Sequence, residues 1–452
     1  MKDLTQGAIP KHLIDMAVPI AIGMFVQTLY LLVDLYFVGQ IGEFALAGVS
    51  AAANASFIVI AFTQILNVGT ATLIAHAVGR KDRADANLIF NQASFLALAL
   101  GGLTLVLGYV GAGWYMQLLA SDPEVKAAGV TYLYWFLPNM ALQFAVVAMA
   151  AALRGTGIVK PAMLVQMLTV VLNIILAPIL IGGWGTGIPM GVAGAGLASS
   201  LSLLIGVVIL IWYFVSLEHY VAIDFSQWRP QLLSFKRLMS IGFPAGAEFL
   251  LMFVYMAVIY WAIQGFGAAA QAGFGLGSRI MQALLLPALA LAFAAPAIAG
   301  QNFGAKQTQR VKDTFKWTVI LSTMVMSLLT LLCLWQGEHL IRVFSSDIEV
   351  VAVASVFLSL ICFNFVPSSI VFSCSGMFQG LGNTWPGLIS SAMRILTFAL
   401  PALWLSQQSG FYIEQLWYLS IVTVAAQCVF SLLLLRGQFN SRLKGFTLLV
   451  KN

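Results

Sequence analysis

The chain has little charge. Only 8% of its 452 residues are Asp, Glu, Lys or Arg, against 61% hydrophobic. So few ionic groups cannot cover a water-soluble globule of this length. Cysteine is scarce as well. Cys333, Cys362, Cys374 and Cys428 include no CxxC pair, which argues against a disulfide framework or a zinc site. Four scattered histidines leave a metal centre without support. Paired aspartates, a Ser–His arrangement and HExxH are all missing, so no enzyme is expected. The polar/apolar alternation of a lipid-exposed barrel strand is absent too.

What is present is apolar length. Twelve runs are long enough for a hydrocarbon layer about 30 Å thick, which takes roughly 20 helical residues. They cover about 13–39, 47–78, 88–112, 125–153, 161–181, 194–216, 238–265, 272–300, 315–336, 349–377, 385–406 and 412–435. The first is too long for the core of a signal peptide and lacks a cleavage pattern, so it is expected to remain as the first span. The expected fold is an all-α integral membrane protein with twelve transmembrane helices.

The net charge of +6 is a topology signal. Eighteen of the 22 Lys and Arg residues lie in the termini, the interlobe connection and the loops after even-numbered spans. Lys126 and Arg342 lie in the opposite loops, and Arg279 and Arg394 within spans. That asymmetry predicts both termini in the cytoplasm, in a cell inner membrane. Nucleic acid is not expected as a partner.

The chain is also written twice. A shift of 225 positions carries Pro19 onto Pro244, Gly42 onto Gly267, Gly48 onto Gly273, Gly79 onto Gly304 and Lys81 onto Lys306. It carries Asp122 onto Asp347, Gly157 onto Gly382 and Pro161 onto Pro386. Two six-helix lobes, related by a pseudo-twofold along the membrane normal, are the expected arrangement. The lobes are drawn as 1–216 and 238–435, with a polar connection over 217–237 and a tail over 436–452. Gly182–Gly187 reads as a tight turn.

Asp34 stands out, inside the apolar run Leu31-Leu32-Val33-Asp34-Leu35-Tyr36-Phe37. A carboxylate deep in a span costs roughly 2.5–3.5 kcal/mol on insertion scales, so it is expected to face a cavity and carry a proton or cation. Its counterpart is Ile259, so the repeat's symmetry is broken there. Gln27, two turns earlier on a similar face, and Asn173 and Ser199 in the fifth and sixth spans are its expected network. Each could equally serve as a plain interhelical hydrogen bond. Glu248, four residues after Pro244, is a second intramembrane acid. It would bind a cation, or pair with Arg279 or Arg394. Pro19 removes a backbone hydrogen bond and favours a bend in the first span.

Together these features resemble the multidrug and toxic compound extrusion (MATE) family. The resemblance rests on Val33-Asp34-Leu35-Tyr36-Phe37-Val38-Gly39, Gly79-Arg80-Lys81-Asp82, Arg154-Gly155-Thr156-Gly157, Gln379-Gly380-Leu381-Gly382-Asn383 and Met190-Gly191-Val192-Ala193-Gly194-Ala195. It implies a V-shaped pair of lobes and export driven by proton or sodium antiport. It further implies an amino-lobe acid at Asp34 assisted by Asn173 and Ser199. The acids of the sodium-linked members are replaced here by Met252 and Ser368, which is more similar to the DinF branch. A second acid of that branch's archaeal members is replaced by Ala177.

The expectation is therefore a monomeric secondary multidrug exporter. It would exchange hydrophobic or cationic toxic compounds for H+, possibly Na+, within the lipid bilayer and without a cofactor. The alternatives kept open are a lipid-linked oligosaccharide flippase of the same superfamily, a sodium-coupled drug antiporter, a major facilitator and a passive channel.

Overall fold

The computed structural model describes residues 1–218 and 220–443, without the side chains of residues 30–35. Helix is continuous between short connections: α1 (Ile9–Gly39), α2 (Glu43–Ala53), α3 (Ala55–Gly79), α4 (Arg83–Leu119), α5 (Pro123–Gly155), α6 (Lys160–Gly182) and α7 (Val192–Ser216), then α8 (Leu232–Ile263), α9 (Ala268–Gly304), α10 (Thr308–Arg342), α11 (Ile348–Ile361), α12 (Phe365–Gly380), α13 (Trp385–Ser406) and α14 (Glu414–Arg442). No strand occurs among the described residues. Among the described residues twelve segments are long and apolar enough to cross a membrane. Two are interrupted: Asn54 separates α2 from α3, and the 3-10 turn Cys362–Asn364 separates α11 from α12.

The duplicated signposts turn out to be helix-end chemistry. Lys81 and Lys306 are the two non-glycine residues with positive φ among the described residues, at 61° and 59°. Each follows a helix end, where a left-handed residue lets the chain fold back onto the last carbonyls. Asp82 N–H donates to the Ala77 carbonyl and Gln307 N–H to the Asn302 carbonyl, both at 2.9 Å. The same device recurs at Gly157 and Gly382, with φ of 80° and 72°. Asp122 and Asp347 cap α5 and α11, each accepting two backbone N–H groups of the first turn. Such a cap contributes about 1 kcal/mol. Pro123, Pro161 and Pro386 open α5, α6 and α13, where a missing N–H is harmless.

The chain divides into two compact units. The first comprises Met1–Asp3 and Ile22–Gly242, the second Leu4–Ala21 and the chain from Phe243 onward. The change of unit therefore falls not in the 217–237 connection but inside two helices, α1 and α8, close to Pro19 and Pro244.

In the first unit α5 packs against α2, α3, α4 and α7. Small residues make this approach possible in a solvent that offers helices no hydrophobic drive to associate. A Cβ on Gly196 of α7 would stand 2.8 Å from the Tyr132 carbonyl oxygen. In the second unit α9 packs against α10, α11 and α12. A ring cluster there stacks Phe274 on Trp417 at 5.5 Å, with Phe357 edge-on to Trp417 at 4.7 Å.

The polar connection is held fast to the start of α4. Asn91 Nδ2 donates to the carbonyls of Asn87 and Ala222, both at 2.9 Å, and to Gln227 Oε1 at 3.4 Å. Its Oδ1 accepts from Asp224 N–H at 2.8 Å and the Trp228 indole at 3.1 Å. Gln92 Nε2 donates to the carbonyls of Gln227 and Arg229, and its Oε1 accepts from Gln231 N–H. Arg237, in the first turns of α8, is bidentate on Asp85 at 2.8 and 2.9 Å. These bonds explain why Leu232–Gly242 belongs with the first unit. In the second unit Leu4–Gly7 is held by Gln301, which accepts from Leu4 N–H, and by Arg310, which donates to the carbonyls of Leu4 and Gly7.

Candidate functional site

Polar side chains cluster within each unit. In the first unit Asn173 on α6 and Ser199 on α7 are buried. Asn173 Nδ2 donates to Ser199 Oγ at 3.1 Å, and the Ser199 hydroxyl reaches the Ala195 carbonyl at 3.3 Å. Among the described residues Asn173 Oδ1 accepts no hydrogen bond. A buried acceptor left open is costly, about 1–3 kcal/mol, so the amide stands ready for a donor. Asp34 falls on α1, but its side chain lies outside the described residues. Ala177, one turn beyond Asn173, is buried.

Gln27 is not joined to Asn173. Its Oε1 accepts from Gln166 Nε2 of α6 at 3.0 Å. Gly23, one turn before it, leaves the room: a Cβ there would meet Gln166 Oε1 at 3.2 Å. Gln166 escaped the sequence reading. A further chain joins α5 to α3, with Arg154 donating to Asn67 Oδ1 at 2.5 Å and Asn67 Nδ2 to Gln64 Oε1 at 3.0 Å.

In the second unit Glu248 of α8 is met by hydroxyls rather than by a base. Ser375 Oγ of α12 donates to the carboxylate, 3.3 and 3.1 Å from its two oxygens, and Ser391 Oγ of α13 donates to Oε1 at 3.2 Å. Gly387, one turn before Ser391, gives the acid space: a Cβ there would be 2.9 Å from Oε2. The pairing with Arg279 or Arg394 does not form; among the described residues Glu248 makes no ion pair. Instead the Arg394 guanidinium lies over the Tyr255 ring, 4.3 Å from its centroid. Tyr255 stands seven residues beyond Glu248, about 10 Å along a helix.

The repeat relates the two clusters. Shifted by 225, Gly23 becomes Glu248 and Gln166 becomes Ser391. The first unit thus fills with a neutral amide pair the position where the second places an acid among serines. Pro19 is buried inside α1. Met252 of α8 is exposed and Ser368 lies in α12, so neither position offers an acid. Among the described residues no group of three or more His, Cys, Asp or Glu could hold a metal ion.

Comparison with known proteins gives this arrangement its family. Residues 19–179 and 244–405, the two halves of the repeat, match the MatE family. The chain belongs to the MatE family. This MatE protein, a multi-pass membrane transporter, is 28% identical over 397 residues to the probable multidrug resistance protein YpnP of Bacillus subtilis, covering 84% of this chain and 86% of that one. It is 25% identical over 409 residues to a FAD transporter of Shewanella oneidensis, covering 89% of each. Its fold is similar to a MATE crystal structure in the straight conformation, with a TM-score of 0.91, 23% identity and 98% of both chains covered.

Proposed function

We propose that this transporter exports hydrophobic or cationic toxic compounds across a bacterial inner membrane in exchange for protons, with Asp34 as the titrating carboxylate. The observation that carries the reading is the buried Asn173–Ser199 pair with its open Oδ1. An amide acceptor without a partner distinguishes a protonated acid, which can donate to it, from a carboxylate, which cannot. Supporting it, the chain is similar to a protein named for multidrug resistance. The places that carry acids in sodium-linked members hold Met252 and Ser368, which favours H+ over Na+.

In the cycle we propose, ionised Asp34 favours a bound cation, and a proton arriving from outside neutralises it and releases the cargo. For a neutral cargo, one proton crossing 100 mV supplies about 2.3 kcal/mol, enough for roughly a fiftyfold gradient. One-for-one exchange with a monovalent cation moves no net charge and is driven by the pH difference. We place both termini in the cytoplasm and the protein in DinF-like company, acting as a monomer without a cofactor. The decisive measurement is dye uptake into everted vesicles energised by a proton gradient. Asp34→Asn should abolish proton-driven uptake while the protein still inserts; undiminished uptake refutes the role.

The FAD transporter among the similar proteins favours a second reading, in which the cargo is an anionic dinucleotide. Efflux of ethidium against efflux of flavin nucleotide from the same vesicles separates the two.

A further inference from the structure

The second unit contains a guanidinium whose edge is unused. Arg394 sits mid-way along α13, inside an apolar span where a charged side chain is expensive and marks function by default. The exposed large apolar residues of that helix are Trp385, Ile389, Leu396, Leu400 and Trp404. At about 100° per residue the first four lie about 120–180° from Arg394, and Trp404, at the end of the helix, about 80°, so the arginine faces away from most of that exposed apolar side. Gly387, Ser391, Arg394 and Phe398 share the opposite face, and that face meets α8: Ser391 binds Glu248, while Phe398 packs on Tyr255 at 4.7 Å.

The cation is not neutralised. Its face rests on Tyr255, and stacking leaves all five in-plane N–H donors of a guanidinium available. No acceptor faces them among the described residues, and Nε is buried without a partner. Glu248 is occupied two turns away by its serines. The platform beneath the arginine is nevertheless built with care. The Tyr255 hydroxyl lies 3.0 Å from Ser420 Oγ of α14, and Asn364 Nδ2 donates to the same Ser420 oxygen at 3.1 Å. A ring fixed by Phe398 on one side and by a two-step hydrogen-bond chain at its tip holds the guanidinium in one place.

We infer that Arg394, on its Tyr255 platform, is a binding site within the second lobe for the oxyanion of an organic molecule, a carboxylate or phosphate ester carried on an apolar or aromatic body. A planar fork with unfilled donors matches two oxygens of such a group bidentately. The flanking rings of Tyr255 and Phe398 offer apolar contact to the rest. The inference needs the chain to be a transporter with an accessible lobe interior, but it does not depend on proton coupling or on Asp34.

The test is equilibrium binding without any ion gradient, using purified protein in phosphatidylcholine nanodiscs. Riboflavin phosphate and riboflavin share one ring system and differ by a phosphate. The wild type should bind the phosphate ester about tenfold or more tightly than riboflavin, the weight of one or two charge-assisted hydrogen bonds. Arg394→Gln should erase that preference. Arg394→Lys, which keeps the charge and loses the fork, should retain part of it and guards against a folding defect in the first variant. Equal affinities for the two flavins in the wild type, or a preference unchanged in Arg394→Gln, would overturn the proposal. A second arm adds phosphatidylglycerol to the discs. Weakened flavin binding there identifies a lipid headgroup as the natural oxyanion, and unchanged binding identifies a soluble one. Because the binding is read without a gradient, its failure leaves the proton-coupled reading standing, and failure of proton-driven uptake leaves the flavin preference standing.

Discussion

Replacing Asn91 with alanine should release the polar connection between the halves. The side chain is fully buried at 0% exposure. Four of its five hydrogen bonds run to the connection, reaching the Ala222 carbonyl, Gln227 Oε1, Asp224 N–H and the Trp228 indole. Each is worth a net of about 0.5–1.5 kcal/mol, and the partners left behind lose more where water cannot reach them. Water at the cytoplasmic rim will restore some of this, and the neighbouring Gln92 contacts remain. A local cost of roughly 2–4 kcal/mol follows. That raises the population of the detached connection by about thirtyfold or more, which limited proteolysis reports directly when opening is fast relative to cleavage. Trp228, in the connection, supplies a chymotryptic site. Chymotrypsin cleavage after Trp228 should therefore accelerate by an order of magnitude or more in Asn91→Ala, with the transmembrane helices still intact. Asn91→Asp keeps the acceptor and loses both donated hydrogens, so it should fall between. Cleavage within twofold of wild type in both variants would show that the connection is held by something other than this amide.

Other substitutions separate local chemistry from packing. Gly196→Val places carbon 2.8 Å from the Tyr132 carbonyl oxygen and should cost at least 1–3 kcal/mol, read as loss of monodisperse protein on size exclusion. Lys81→Gly relieves a left-handed residue and should raise thermal stability by up to about 1 kcal/mol, a gain that a lysine in an ordinary helical position would not give. Asp347→Ala removes the cap of α11 and should cost about 1 kcal/mol, seen as a small drop in melting temperature. Asn173→Leu removes the donor to Ser199 and should slow export while leaving the protein stably inserted, measured as dye efflux from energised cells.

The twelve spans and the doubled halves were legible because they rest on local chemistry. Length in an apolar run is visible residue by residue, and the matched positions prove to be caps and helix stops, such as Asp122 with Asp347 and Lys81 with Lys306. The interruptions were not legible. Nothing in Ala53-Asn54-Ala55 or Cys362-Phe363-Asn364 announces a break, since the same residues sit unbroken in other helices. The polar contacts were legible only in part. Asn173 and Ser199 were named and do meet, whereas Gln27 finds Gln166, and Glu248 finds Ser375 and Ser391. Serines and glutamines are common in spans, and which of them face each other depends on helix rotation that a sequence does not display. The shift of 225 was the available signal, since it maps Gln166 onto Ser391 and would have placed both on one interhelical seam.

The splitting of α1 and α8 between the two packed bodies bears on how such a protein can be cut or can have arisen. A polypeptide ending in the 217–237 segment would carry away the opening half-helix of the second body, and its complement would take the opening half-helix of the first. Neither fragment could complete its own packing. Two separately expressed halves should therefore be recoverable only as a pair, and a half-length ancestor would have been an exchanged dimer, each copy lending the other its first turns of helix.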